Sequence, residues 1–479
     1  MLLFFACVAA LITGYIVYGT FVDKIFGSSA SRLTPAITKH DGVDYVKMSP
    51  VKIFLIQLLN IAGLGPIFGP ILGALYGPSA LIWIVLGSII GGAVHDYFSG
   101  MMSMRDGGSS IPDVVGNEMG NFFKQFMRVF SIVLLLLVGI VFVLGPAKLL
   151  GNMFNEPVWI WVTIIFVYYF LATILPVDKL IGKLYPFFGA TLLFMAIGLT
   201  VAFMFSEHSF YPNLTLSNLH PDNLSMWPLM FITIACGAVS GFHATQSPMM
   251  ARCITNEKYG KPVFYGSMIG ESVIALIWAT LGMSFYHSPE ELNTVLAQGG
   301  PALVVNNIST ALLGGFGGIL AVIGVIALPV TSGDTAFRSA RLIIADFLKL
   351  EQKAHIKRLM IAVPLFIVGF LVSQMEFGVI WRYFGWANQA LATIVLWSAA
   401  AYLIRRDKFH YIATIPAIFM TTVVFTYLFN DKIGFGMDLT TSTIIGIIAA
   451  IISTAAFFIK YSKGKCRIEE SAEPALETI

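Results

Sequence analysis

Long apolar stretches recur along the chain and are separated by short polar segments. They predict about thirteen transmembrane helices, because about 20 apolar residues in a helix cross the hydrocarbon core. The stretches lie near 1–22, 51–76, 78–102, 127–150, 157–176, 184–206, 227–250, 263–285, 315–337, 357–374, 378–402, 410–430 and 440–460. The polar segments between them are not alike. Segment 23–50 carries Lys24, Arg32, Lys39 and Lys47, and segment 251–262 carries Arg252, Lys258 and Lys261. Segment 338–358 carries Arg338, Arg341, Lys349, Lys353, Lys357 and Arg358. Arg405, Arg406 and Lys408 follow, and the tail has Lys460, Lys463, Lys465 and Arg467. Segments 207–226 and 286–314 have neither Lys nor Arg. Basic residues stay on the cytoplasmic side. The alternation therefore predicts an outside N-terminus, a cytoplasmic C-terminus and an odd number of crossings.

Two of the apolar stretches are interrupted. Asn60–Pro70 reads NIAGLGPIFGP in the middle of 51–76. Pro66 and Pro70 lack an amide hydrogen and clash with the preceding turn. Gly63, Gly65 and Gly69 loosen the backbone further. Ala235–Pro248, ACGAVSGFHATQSP, interrupts 227–250 in the same way, and the two helices are expected to open near Gly63–Pro66 and Ser240–His243. Open backbone survives at membrane depth only where protein or a watery cavity surrounds it. A Gly/Pro-kinked packing helix would explain either break alone. The pair favours a transporter's substrate site, because the two helices run in opposite directions. Each opens a set of five spans, 51–206 and 227–402. The expected fold is thus an all-α integral membrane protein with a 5+5 inverted repeat, the plan of many secondary transporters. A leading helix and cytoplasmic loop occupy 1–50, an outer linker 207–226, and two helices with a cytoplasmic tail 403–479. Pro301–Leu313 reads as a re-entrant or lid helix. Candidate substrate contacts are Gly63, Gly65, Pro66 and Gly69 at the first break. At the second they are Ser240, Gly241, His243 and Gln246; the mid-span amides Asn388 and Gln389 are further candidates, lining the cavity or bridging helices.

Composition agrees with the membrane reading. Of 479 residues 57% are hydrophobic and 11% charged, with a mean hydropathy of +0.82. Soluble domains carry about 25% charged residues. The net charge of +3 informs only through its distribution. Cys7, Cys236, Cys253 and Cys466 are scattered and form no CxxC, so neither a disulfide framework nor a zinc motif is implied. HExxH, P-loop and GxSxG motifs are absent, which argues against an enzyme and leaves ion gradients to drive any pumping. No basic run with interleaved aromatics suggests nucleic acid. The first apolar stretch lacks a basic leader and a cleavage site, and reads as a retained helix.

Ionisable residues at mid-membrane are expensive and mark function by default. His95 and Asp96 lie in 78–102, and Glu271 lies at similar depth in 263–285. These are the second spans of the two repeats, so the carboxylates should flank the broken pair. A proton relay or a buried structural network fits them. His243 beside the second break titrates near neutral pH when unperturbed. Asp334 is either a coupling group or the partner of Arg338 one turn on. Thr331 and Ser332, set against carbonyls around Ile61–Gly63, offer oxygen ligands for sodium.

The chain resembles the carbon starvation protein A (CstA) family at several of these places. They are His40–Tyr45, Ala62–Pro66 with Gly69–Pro70, Ala93–Asp96, Ala235–Ala244, Glu271, Thr331–Arg341 and Phe384–Gln389. The resemblance covers about residues 40–410. It implies membership of the amino acid–polyamine–organocation superfamily and a LeuT-like core. It also implies uptake of pyruvate or peptides in bacteria, the former with protons. Longer members continue with several helices after the second repeat, where this chain has two. The expectation is a plasma-membrane (inner-membrane) secondary importer of a small carboxylate or short peptide. Its partners would be the bilayer and that substrate, with no cofactor beyond a coupling ion, H+ ahead of Na+. The alternatives are a nutrient sensor that binds without transport and a sodium-coupled peptide symporter.

Overall fold

The computed structural model describes residues 2–42, 44–174, 177–206, 215–322, 326, 328–350 and 355–461. Helices make up the regular structure, with no strand among the described residues. Helices α1 (Leu2–Ile16) and α2 (Tyr18–Phe26) form one apolar span, and α3 (Pro35–Thr38) is a single turn. Helices α4 (Pro50–Ile61) and α5 (Gly65–Gly73) meet at a 49° bend. Helix α6 (Ser79–Leu86) passes through a widened turn at Gly87–Gly92 into α7 (Ala93–Arg105). A short α8 (Ile111–Met119) leads to α9 (Asn121–Phe154), α10 (Val158–Ile174) and α11 (Val177–Met204). The second broken element is α12 (Met226–Thr233) with α13 (Gly241–Ala251), followed by α14 (Gly266–Phe285). Helix α15 (Pro289–Val322) bends at Gly300 and Gly314 and contains the expected lid segment. Then come α16 (Leu328–Leu348), α17 (His355–Val372), α18 (Phe377–Ile404), α19 (Tyr411–Asn430) and α20 (Leu439–Tyr461).

Seven described helical stretches are long and apolar enough to cross a membrane, and the bent α4–α5 pair makes an eighth. Val158–Ala172 and Leu192–Met204 are shorter apolar helices. The expected 315–337 span covers the end of α15 and the start of α16; residues 323–325 and 327 lie outside the described ones. The basic tail residues Lys463, Lys465 and Arg467 lie outside them too.

The broken elements form the centre. Residues 56–61 of α4 and Gly241–Pro248 of α13 are buried throughout. By contrast, the Leu2–Phe26 span and α20 are largely exposed. Their exposed Ile12, Ile16, Ile447 and Ile451 suit a lipid-facing periphery. Two glycines allow the breaks to touch. A Cβ on Gly65 would collide with the Cβ and Sγ of Cys236, and one on Gly69 would lie 2.8 Å from the Thr233 carbonyl. Small residues permit this approach where helices pack in a membrane.

One end of the bundle is closed by basic residues. Arg105 Nε donates to Glu257 at 2.8 Å, Nη1 to the Tyr402 hydroxyl at 2.8 Å and Nη2 to the Gly27 carbonyl at 2.7 Å. Its guanidinium also lies 3.9 Å from the centre of the Phe26 ring. Glu118 accepts Arg405 at 2.8 Å and Arg406 at 3.2 Å. Between α8, α13 and α16 a crevice of only about 20 Å³ remains. A cavity of about 500 Å³ is lined by Tyr76, His220, Trp381, Arg382 and Asp431.

Candidate functional site

The first break lies where the sequence places it. The Gly63 amide turns back to the Ile61 carbonyl at 3.0 Å, ending α4. Helix α5 restarts at Gly65 with Pro66 in its first turn, where a missing amide hydrogen is harmless. The second break lies earlier than expected, at Ile234–Ser240 rather than at Ser240–His243. Gly237 turns the chain with φ 92°, a conformation that favours glycine. Ser240 is extended, α13 begins at Gly241, and His243 and Gln246 are therefore helical. Two contacts from other helices set this boundary. Trp83 Nε1 donates to the Ile234 carbonyl at 3.2 Å. Asn388 Oδ1 accepts the Phe242 amide at 2.7 Å and the Ser240 hydroxyl at 3.2 Å. Asn388 thus caps α13 from α18, satisfying a first-turn donor that the helix itself cannot. Gln389 Nε2 donates to the Phe231 carbonyl at 3.2 Å, so both amides hold the second broken element.

Four ionisable residues from three helices meet beside these breaks. Asp96 on α7 has one oxygen 2.7 Å from His95 Nδ1 and the other 2.8 Å from Nδ1 of His243 on α13. His243 Nε2 lies 3.3 Å from Oε2 of Glu271 on α14. All four side chains are fully buried. Asp96 accepts from both rings, which places a hydrogen on each Nδ1. A neutral His243 then carries its lone pair on Nε2, the ring nitrogen nearer Glu271. Neither that nitrogen nor either Glu271 oxygen has a hydrogen-bond partner, since the 3.3 Å approach lacks hydrogen-bond alignment. Two lone pairs at this distance repel, and a proton or other cation on or between them makes the contact attractive.

Sequence reasoning missed several neighbours. Cys236 Sγ, His243 and Glu271 present ligand-type atoms within 4.8 Å of one another. The available signal was a cysteine inside the break, seven residues before His243. Gln57 Nε2 reaches Ser247 Oγ at 3.5 Å, Ser99 Oγ reaches it at 3.3 Å, and Ser247 Oγ donates to the His243 carbonyl at 3.0 Å. Asn60, next to the first break, is buried with neither amide atom partnered. Gln57 and Asn60, three residues apart, share one face of α4. Gln246 donates to Thr245 Oγ1 at 2.9 Å.

The remaining candidates lie on α16. Asp334 faces Arg338 at 4.0 Å on its own helix, and Arg338 also donates to the Ala172 carbonyl at 2.6 Å. Ser332 Oγ donates to the Leu59 carbonyl at 3.1 Å, and Thr331 is buried next to it. The α16 hydroxyl therefore touches α4 two residues before Ile61, whose carbonyl is already taken by Gly63.

Known proteins resemble this chain along most of its length. The family profile for carbon starvation protein CstA matches residues 1–157, 145–310 and 287–427. An uncharacterized membrane protein of Haemophilus influenzae is 46% identical over 352 residues, 62% of this chain and 95% of the relative. The peptide transporter CstA of Bacillus subtilis is 26% identical, over 87% of this chain and 88% of its own. The pyruvate/proton symporter BtsT of Escherichia coli is 25% identical, over 57% of this chain and 47% of its own. Among solved structures, the Eremococcus coleocola manganese transporter aligns with a TM-score of 0.57 at 13% identity, covering 88% of this chain and 98% of its own. Mhp1, a nucleobase-cation-symport-1 family transporter, aligns with a TM-score of 0.54 at 11% identity, covering 87% and 94%. These relatives of named activity and structural neighbours are transporters, and the chain is not an enzyme. Because the matched residues run through both breaks and every member of the buried chain of ionisable groups, the protein belongs to the carbon starvation protein CstA family.

Proposed function

We propose that the protein is a secondary active importer of a small pyruvate-like carboxylate or a short peptide, driven by the proton gradient across a bacterial inner membrane. The observation that carries this reading is the contact between His243 Nε2 and Glu271 Oε2, 3.3 Å apart and fully buried between the broken elements. A contact that needs a cation, placed at the junction of two breaks, is suited to loading and releasing one during transport. Peptide transport and pyruvate/proton symport among the named relatives support the same reading.

In this reading 51–206 and 227–402 are inverted repeats of the amino acid–polyamine–organocation superfamily, within about thirteen spans. The Lys/Arg asymmetry puts the N-terminus outside and the C-terminus in the cytoplasm. The substrate carboxylate sits against the first turns of α5 and α13, where the helix dipole and the first-turn amides other than that of Phe242, which Asn388 holds, favour negative charge. Gly65, Pro66 and Gly69 form one wall, Gly63 the hinge, and Ser240, Gly241, His243 and Gln246 the other wall. Asn388 and Gln389 hold that second wall in place. The proton occupies the His95–Asp96–His243–Glu271 chain, with Asp334 paired to Arg338 behind it. One contact favours a second reading, sodium coupling through Thr331 and Ser332: the 3.1 Å bond from Ser332 to the Leu59 carbonyl gathers oxygen ligands beside the first break.

The test is counterflow in proteoliposomes with labelled pyruvate, lactate, dipeptides and tripeptides. Exchange of at least one is expected, and none with any of them would leave a binding sensor as the better description. Gradient-driven uptake should persist without sodium, stop with a protonophore and acidify the interior. Strict sodium dependence at every pH would overturn proton coupling in favour of the α16 site.

A further inference from the structure

We propose that Cys236, His243 and Glu271 form a binding site for one divalent cation of the zinc class, with Asp96 as the carboxylate that orients the histidine. The three donors come from three elements: the second break, α13 and α14. Cys236 is 3% exposed and the other two are fully buried. Their ligand atoms all lie within 4.8 Å of one another.

The donor set selects the ion. A thiolate with an imidazole favours zinc, cobalt or cadmium, whereas magnesium, calcium and manganese prefer oxygen ligands. Three protein ligands leave the fourth tetrahedral position for water or a small anion. The group that orients the histidine is also present. Asp96 holds Nδ1 of His243 at 2.8 Å, so Nε2 is the nitrogen turned toward the other donors. This carboxylate–histidine order is the usual support of a zinc ligand.

An independent observation points the same way. His243 Nε2 and both oxygens of Glu271 are buried without a hydrogen-bond partner. Each such atom is costly when left unsatisfied. A bound cation satisfies Nε2 and one of those oxygens together. Bonds of about 2.0–2.3 Å require the donors to close in by about an ångström. Cys236 can supply that movement, because it sits on a non-helical segment beside Gly237. Binding forms metal–sulfur, metal–nitrogen and metal–oxygen bonds and releases to water the thiol proton and any proton held between His243 and Glu271, with no change of oxidation state.

The site shares residues with the proton chain proposed above, but it rests on the donor set and not on that reading. A cation held there occupies the space of the proton and ties α13 to α14.

The test uses the purified full-length protein in detergent, titrated with Co²⁺. One equivalent should bind with a thiolate-to-cobalt charge-transfer band in the near ultraviolet, and Zn²⁺ should displace it. Cys236→Ser should abolish that band and weaken Co²⁺ binding at least about tenfold. Glu271→Gln should weaken binding while keeping the band, and Cys253→Ser should change neither. If Cys236→Ser does not fold, X-ray absorption on the Zn²⁺-loaded wild type decides, with one sulfur expected at about 2.3 Å. Absence of the band in folded wild type, its survival in Cys236→Ser, or coordination by nitrogen and oxygen alone would overturn the site. Binding is read without transport, so a negative counterflow result leaves this test intact, and the reverse holds too.

Discussion

Asn388 Oδ1 accepts the Phe242 amide at 2.7 Å, so a side chain on α18 begins a helix 146 residues earlier in the chain. Asn388→Ala leaves that amide and the Ser240 hydroxyl without their partner. The expected loss is about 2 kcal/mol, between the values for a lost helix cap and a buried unsatisfied donor. Thermal unfolding in detergent checks it, and an unchanged Tm would mean that α13 is capped by something else.

Gly65 has no room for a side chain, because an added Cβ meets Cys236. Gly65→Ala should destabilise the protein by about 1–3 kcal/mol, as overpacking generally does, and slow counterflow by prying the two breaks apart. Gly65→Ala combined with Cys236→Gly should recover part of both losses. Gly198, with no atom within 4 Å of an added Cβ, is the control, and Gly198→Ala should be neutral. A Gly65→Ala protein as stable and active as wild type would remove the close contact from the account.

Glu271→Gln keeps the shape of the side chain but cannot release a proton. If Glu271 takes part in coupling, this variant should retain counterflow while its accumulation ratio falls to about one, since no gradient energy reaches the substrate. Full accumulation in Glu271→Gln would exclude it as the coupling group.

Outside the membrane spans, Asp113 on α8 reports on pH. Burial raises its carboxyl, but the hydrogen bond from Lys124, with Ser110 and the Arg128 charge, holds it below the ordinary 3.8. A depressed folded value contributes stability above the unfolded value and loses it as pH falls through the folded one. The packing of α8 on α9 should therefore loosen below pH 3.8. At neutral pH Asp113→Asn should weaken it by about 1 kcal/mol. Limited proteolysis of the 106–120 segment measures this, and equal protection in wild type and variant at pH 7 would contradict it.

What could be read from sequence depended on how local each cause was. The first break follows from Gly63, Gly65 and Pro66 themselves, and it lies where they put it. The second was misplaced because Gly237 and Gly241 are equally able to interrupt a helix. The choice between them is made by Trp83 and Asn388, which are distant in the chain. Asp96, His243 and Glu271 stood out because charge inside an apolar run is costly wherever it occurs. Cys236 did not, since a cysteine is ordinary in such a run until α14 brings Glu271 beside it. Gln57 and Asn60 were visible as polar interruptions of α4, and their shared face was the clue left unused.

Arg105 joins α2, α7, α18 and the segment before α14 through a single guanidinium. Separating α7 from the segment before α14 takes Arg105 from Glu257, a carboxylate with 1% of its side chain exposed, and leaves it the Ser29 amide at 2.6 Å. Breaking a buried pair by removing one partner costs about 3–5 kcal/mol. At that end of the bundle the guanidinium acts as a keystone, a group that all four of these elements meet, so that its removal loosens several contacts at once.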